Sequence, residues 1–476
     1  MKKMSLFAVL SLTILSMVFS QNQGYKINVK INGLSNDTLL LGYYYGKYQY
    51  VRDTMMLDNT GKGVFETKDT VGGGIYFIVL PDKNYIEFVL DKEREFTIEA
   101  DKADLVKSIR AKGSTDNSLW FAYKVFIADR GEKIEALGKT MTRLKEVGKQ
   151  DSVKIVEQQM KDINTEVADY KNKFIKDHPK SLIAKIFDAS RDPEVPEAPL
   201  LPNGKKDSLF SYRYYRAHYW DMYDFSDDRL LRTPIYHAKL DQYLTKVVPQ
   251  YPDTLIAEIN AIIDKTKANK EVFKYTVWYL THYYETSQVM GMDAVFVFLV
   301  DKVYIPGDAF WVSDNVKSKI IERAEKMRPN LIGKTAPELI LLGTDNQLVS
   351  MHSIPATYMI LYFWDPSCGH CKVETPKLVD YYNKVKDSLD LKIYSVCSDT
   401  SLTSWKNYLA EKKMEAFINV NGTRTAKGNF HDLYDIYSTP VVYILDSKKR
   451  IIGKRIPVDQ IGNFLDFYSR HPTIKD

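Results

Sequence analysis

The hydrophobic periodicity of this chain changes twice, and each change marks a different architecture. Tyr25, Ile27, Val29 and Ile31 alternate with Lys26, Asn28 and Lys30, the period-two pattern of a strand with one buried face. The stretches TLLLGYYY, GVFET, IYFIVL, YIEFVL and EFTIEA follow, separated by turn signals such as DNTGKG and VGGG. Short strands at this spacing predict a β-sandwich over 21–112. After KGSTDNSLW the period becomes helical. Ile134, Leu137, Met141 and Leu144 step by three and four, as do Val156, Met160, Ile163, Val167, Tyr170 and Phe174, which puts an apolar stripe on each of two helices. The polar break at Gly148 to Ser152 folds them into a hairpin, and His178-Pro179 ends the second helix. Beyond the Pro-rich loop RDPEVPEAPLLPNGKKD, helices resume and run to Met327. An α-helical domain is therefore expected over 113–330. From Tyr358 onward strands and helices alternate, and the order predicts an α/β domain over 331–476 with a mixed sheet and helices on both faces.

Residues 1–20, MKKMSLFAVLSLTILSMVFS, have a basic start at Lys2 and Lys3, an apolar run from Leu6 to Phe19 and a small residue, Ser20, at the end. They read as a signal peptide cleaved after Ser20, with an uncleaved inner-membrane anchor as the alternative. The formal charge of +5 falls to +3 without the two leader lysines. Over a chain this long that is near neutrality, and nothing in it favours a nucleic-acid partner, which needs a clustered basic face. Only three cysteines occur, none before Cys368. That count excludes a lipid-bearing cysteine at the leader boundary. It leaves the upstream domains to be held by their hydrophobic cores rather than by a disulfide framework.

The cysteine pair stands in FWDPSCGHCKVETP, residues 363–376. The apolar strand YMILYFW leads to Asp365-Pro366-Ser367, and Cys368 falls where a helix begins. Unpaired N–H groups and the partial positive charge of a helix start favour a thiolate. Cys371 lies one turn deeper, so one sulfur is presented to a substrate and the other is held back to resolve. That asymmetry suits two-step disulfide exchange.

These residues resemble the thioredoxin superfamily, and among its members the TlpA/ResA type of bacterial envelope thiol–disulfide oxidoreductase. The pattern of that type appears as Phe363-Trp364, Cys368, Cys371, Glu374 and Pro376, followed by Thr439-Pro440 ahead of the last strand pair. The resemblance spans 331–476 and implies a thioredoxin fold and a periplasmic thiol–disulfide oxidoreductase. The expected fold class is thus multidomain: N-terminal β-sandwich, α-helical middle and C-terminal α/β thioredoxin fold. By the same resemblance Cys368 is the nucleophile, Cys371 the resolving thiol and Glu374 the group that moves the Cys371 proton. Pro440 is cis and offers the Thr439 backbone to substrate, and Trp364 packs beneath the site. No bound cofactor is implied beyond the redox-active Cys368–Cys371 pair. The implied partners are protein thiols and disulfides and a membrane or periplasmic electron donor. The chain departs from the pattern at two positions. Ser367 stands where many thioredoxins have Trp, and Tyr362 stands where they bury an aspartate, which leaves Glu374 as the expected proton acceptor. Gly369-His370 tunes the pair, because an imidazole near the nucleophile stabilises the reduced form and raises the potential. The same CGHC occurs in protein disulfide isomerases, so the direction of exchange stays open between reductase and isomerase.

The same residues bear on other readings. A zinc site needs a second ligand pair, and only Cys397 remains. Peroxiredoxin-like (AhpC/TSA-type) activity wants Pro and Thr or Ser where Leu361 and Asp365 stand. A binding or adaptor protein with a minor redox role is the alternative from another class. Cys397, in KIYSVCSD, reads as a small core thiol, with a secondary redox partner as its alternative. His218, His237, His282 and His431 lack partners at metal-ligand spacing and read as structural. Tyr212, Tyr215, Tyr219 and Met222 step by three and four and are expected as a packed helix face. Oligomeric state is not legible in the sequence.

Overall fold

The computed structural model describes residues 24–426 and 429–471. The expected signal peptide lies outside them. The chain divides into two compact units, 1–247 and 248–476, and the helical stretch expected as one domain over 113–330 is shared between them.

In the first unit eight strands form two four-stranded sheets. They are β1 (Tyr25–Asn32), β2 (Thr38–Tyr45), β3 (Tyr48–Met56), β4 (Lys62–Thr67), β5 (Gly74–Val79), β6 (Tyr85–Leu90), β7 (Glu95–Asp101) and β8 (Arg110–Lys112). The sheet orders are β4-β1-β7-β8 and β3-β2-β5-β6. The alternation in β1 holds: Tyr25, Ile27, Val29 and Ile31 are buried. β3 lies outside the expected strands. It is an edge strand that exposes Tyr50, Val51 and Met56, so one-sided burial wrote no alternation into it.

Helices α1 (Leu105–Ser108), α2 (Thr115–Glu146), α3 (Gln150–Asp177), α4 (Leu182–Ala189), α5 (Phe210–His218) and α6 (Ile235–Gln242) complete this unit. The hairpin of α2 and α3 forms as expected. Of its stripes only Val156 and Phe174 are buried, because the two long helices cover one another only in part. The tyrosine face is a correction. Helix α5 ends at His218, so the helical spacing does not carry to Met222. Tyr219 is buried, while Tyr212 and Met222 are exposed. Trp220 instead gathers Tyr223, Phe225, Tyr236 and Tyr243 into an aromatic cluster.

Two contacts, one part-buried and one buried, join helices to sandwich. Arg229 bridges Asp91 (2.8 Å) and Asp227 (2.6 Å). At the start of α2, Asn117 accepts from the Val89 N–H (2.7 Å) and donates to the Val89 carbonyl (2.9 Å). β6 is the outer strand of its sheet, so Asn117 supplies the partner that a further strand would have given.

The second unit begins with α7 (Pro252–Thr266), α8 (Lys270–Glu285), α9 (Asp293–Leu299) and α10 (Asp314–Met327). A seven-stranded mixed sheet follows, made of β9 (Ile340–Gly343), β10 (Leu348–Ser350), β11 (Tyr358–Trp364), β12 (Leu391–Cys397), β13 (Ile418–Thr425), β14 (Val441–Leu445) and β15 (Ile451–Lys454). Its order is β10-β9-β13-β12-β11-β14-β15. β11 and β13 run parallel to β12, and β14 runs antiparallel to β11. α11 (Gly369–Leu389), α12 (Leu402–Glu411), α13 (Phe430–Tyr434) and α14 (Ile461–Arg470) flank the sheet. β11 is buried on both faces. Ile360, Tyr362 and Trp364 join the core beneath α11, α12 and α14, and Met359, Leu361 and Phe363 join the core on the other face. That double burial is why YMILYFW reads as a continuous apolar run.

Asn117→Ala should lower the unfolding free energy of the first unit by about 2–4 kcal/mol, because the buried Val89 N–H and C=O lose their partners. Urea titration is the check, with the transition of the second unit unmoved.

Candidate active site

β11 ends at Trp364, and the chain turns through Asp365, Pro366 and Ser367 into α11. The turn is fixed by the Asp365 carboxylate, which accepts from the Ser367 N–H (2.8 Å), the Ser367 hydroxyl (2.5 Å) and the Ser398 hydroxyl (2.7 Å). Burial opposes ionisation of Asp365, but these hydrogen bonds prevail and hold it below the usual carboxylate range. The Cys368 N–H then donates to the Asp365 carbonyl (3.1 Å). Cys368 is the N-cap of α11, and its sulfur accepts from the Cys371 N–H (3.2 Å).

The two sulfurs differ as the spacing predicts. Cys368 is partly exposed and Cys371 is fully buried; both are free thiols. Burial disfavours the Cys368 thiolate. Hydrogen bonding with the Cys371 side chain and the Thr439 side chain, and from the backbone N–H groups of Cys371 and His370, outweighs it and holds the thiol below the ordinary cysteine value. Burial, then the bond to the Cys368 sulfur, pushes the Cys371 thiol up. The Cys368 thiol donates to the Thr439 carbonyl (3.2 Å). The thiolate would lose that bond, so the Cys371 thiol and then the backbone N–H donors stabilise the charged form.

The Thr439–Pro440 peptide is cis, as expected. A cleft of about 630 Å³ beside it is lined by His370, Glu374, Thr439 and Pro440. Gly369 and His370 are exposed at the first turn of α11. A Cβ at Gly369 would meet nothing within 4 Å, so packing does not demand glycine there. Trp364 lies beneath the pair, stacked on Tyr408 (4.5 Å between ring centroids), and donates to the Ser395 hydroxyl (2.7 Å).

Glu374 departs from expectation. Its carboxylate takes the Lys377 ammonium (2.7 Å), and among the described residues neither cysteine sulfur hydrogen-bonds to it. The buried polar groups beneath the pair are hydroxyls that the sequence reading missed. Tyr362 pairs with Thr375 (2.7 Å), and the Tyr408 hydroxyl donates to the same Thr375 oxygen (3.1 Å). The signal available was Thr375 on a helix face otherwise apolar; its tyrosine partners lie 13 and 33 residues away. Cys397 is buried in β12, and burial pushes its thiol up to about 12.

A strand-to-helix cysteine pair facing a cis Thr-Pro, on a sheet with β12 between parallel neighbours, has a match among known families. Residues 356–451 match the family described as Thioredoxin-like. The C-terminal domain is thioredoxin-like. Two further matches lie upstream: residues 25–120 and 149–335 each match a domain of unknown function (DUF4369 and DUF5106). The second of these runs across the boundary between the two compact units. Among curated relatives, nucleoredoxin of Mus musculus is 27% identical over 124 residues, 26% of this chain, and that of Xenopus laevis 29% over 116 residues, 24% of this chain. The matched regions span 28% of either relative's length. Among solved structures, a domain of a possible thiol-disulfide isomerase from Cytophaga hutchinsonii is 36% identical over 29% of this chain and 94% of its own, at a TM-score of 0.28. A thioredoxin-like protein from Bacteroides caccae is 20% identical over 58% of this chain and 99% of its own, at a TM-score of 0.44.

Alkylation by iodoacetamide should label Cys368 alone in the native protein, with a rate inflection below the free-cysteine value of about 8.5. Peptide mapping across a pH series checks both points. Labelling of Cys371 or Cys397 before denaturation would contradict the burial described.

Proposed function

We propose that the chain is a periplasmic thiol–disulfide oxidoreductase acting on protein substrates through Cys368 and Cys371. The observation that carries this reading is the asymmetry of the pair: an accessible sulfur at a helix start, favoured as thiolate, with a buried thiol one turn behind it. The thioredoxin-like family of the domain supports it.

The Cys368 thiolate attacks one sulfur of a substrate disulfide. An S–S bond forms between protein and substrate, and the other substrate sulfur leaves as thiolate. Cys371 then loses its proton and attacks the Cys368 sulfur. The mixed disulfide breaks, the second substrate sulfur departs, and the protein holds a Cys368–Cys371 disulfide. Two electrons have passed to the substrate, and the reverse sequence oxidises a dithiol. Thr439 and Pro440 form the surface beside the attacked sulfur, Trp364 supports the turn from below, and Gly369-His370 sets the poise. Glu374 serves the proton of Cys371 only if its pairing with Lys377 opens. The periplasmic assignment rests on the leader-like residues 1–20; no described helix is long and apolar enough to cross a membrane. Protein disulfides and an envelope electron donor are the partners this chemistry requires.

Insulin reduction tests the reading. Cys368→Ser should abolish it, Cys371→Ser should accumulate the mixed disulfide, and Glu374→Gln should slow its release. Activity retained by Cys368→Ser would defeat the proposal, and an unchanged release rate in Glu374→Gln would remove Glu374 from the mechanism.

A further inference from the structure

The cleft at the cysteine pair does not end at Pro440. A second cavity of about 800 Å³ in the same compact unit is lined by residues of 285–330 on one side and of 435–467 on the other. The two cavities share Gln288, Arg323, Asp435, Arg455, Ile456 and Pro457 along their margins, so they form one groove. Either lobe alone has the size of a small-molecule pocket, roughly 300–1,000 Å³. Joined, they extend well past the reach of a small disulfide held at Cys368.

Charge pairs build the floor. Asp435 is buried and accepts from both Arg323 and Arg455 (3.0 Å to the latter). Lys454 is buried against Asp293 and donates to the Asn330 carbonyl (2.7 Å). These bonds fix the helical segment 285–330 against the thioredoxin-like domain. Three exposed apolar side chains stand on the rim among polar neighbours such as Gln288, Gln460 and Asn463: Val289, Met290 and Phe467 are 61%, 41% and 59% exposed. Clustered exposed apolar side chains with a charged surround mark a surface that meets another polypeptide.

We propose that this groove seats the extended polypeptide that flanks the substrate disulfide, and that the helical segment 285–330 is the wall that selects polypeptides over small disulfides. The inference rests on exchange at Cys368, and it gives part of the region upstream of the thioredoxin-like domain a task. Two features of the lining suit a polypeptide. Arg455 commits only part of its guanidinium to Asp435 and is half exposed, so N–H groups remain for carbonyl or carboxylate oxygens of a passing chain. Val289, Met290 and Phe467 receive apolar side chains beyond it. A compact aromatic disulfide reaches Cys368 without touching this rim.

The test compares two oxidants on the full chain, insulin and 5,5′-dithiobis(2-nitrobenzoate), in wild type, Val289→Asp and Phe467→Ser. Both substituted residues are exposed, so neither change opens a core. The ratio of the insulin rate to the small-disulfide rate should fall about tenfold in each variant, a change of roughly 1.4 kcal/mol in binding. A fall of less than about threefold (~0.65 kcal/mol), or equal losses on both oxidants, overturns the groove as a polypeptide site. Wild-type protein inert toward both oxidants would instead overturn the exchange reading itself, and the groove's role with it.

Discussion

The hydrogen bond from the Cys371 N–H to the Cys368 sulfur depends on where β11 stops and α11 starts. A helix leaves its first N–H groups without intrahelical partners, and here one of them is turned onto a sulfur. The strand brings the chain to that point, and Asp365, held by Ser367 and Ser398, makes the turn. The same turn leaves Cys371 on the inner face of the helix. One junction therefore sets both the reactivity of the outer thiol and the burial of the inner one.

What lies beneath the junction differs from the carboxylate expected of many thioredoxins. Tyr362, Thr375 and Tyr408 share hydrogen bonds in a buried layer, and Trp364 stacks on Tyr408 and donates to Ser395. Hydroxyls satisfied by one another cost far less to bury than an unpaired carboxylate. They stay neutral, since burial raises both tyrosines. The layer supports the turn without placing a permanent charge next to Cys371, and in the exchange proposed above the groups left to take the Cys371 proton are those of the cleft, Glu374 and His370 among them.

The sequence made the cysteine junction readable because every part of it is local. The apolar run of β11, the cysteine spacing and Thr439-Pro440 each occupy a few adjacent residues. The period-two strands of the sandwich were readable for the same reason, while β3, exposed along an edge, left no alternation to find. The partition of the helical stretch was not readable. Periodicity tells that a helix has a buried face and is silent on which domain buries it, so α2–α6 and α7–α10 looked alike although they belong to different units. Glu374 illustrates a related limit. Its position in the motif implied a role beside Cys371, yet Lys377 one turn on takes its carboxylate, a pairing that motif spacing does not reveal. The hydroxyl layer was hidden because its members come from a strand and two helices.

The most direct test is the reduction potential of the Cys368–Cys371 couple, by equilibration against glutathione mixtures with mass-spectrometric readout. The account predicts one two-electron transition confined to these two cysteines. Because the reduced form gains a stabilised thiolate, its potential should lie nearer the about −180 mV of protein disulfide isomerase than the about −270 mV of thioredoxin. A pair that never oxidises in these mixtures, or a disulfide that involves Cys397, would contradict it.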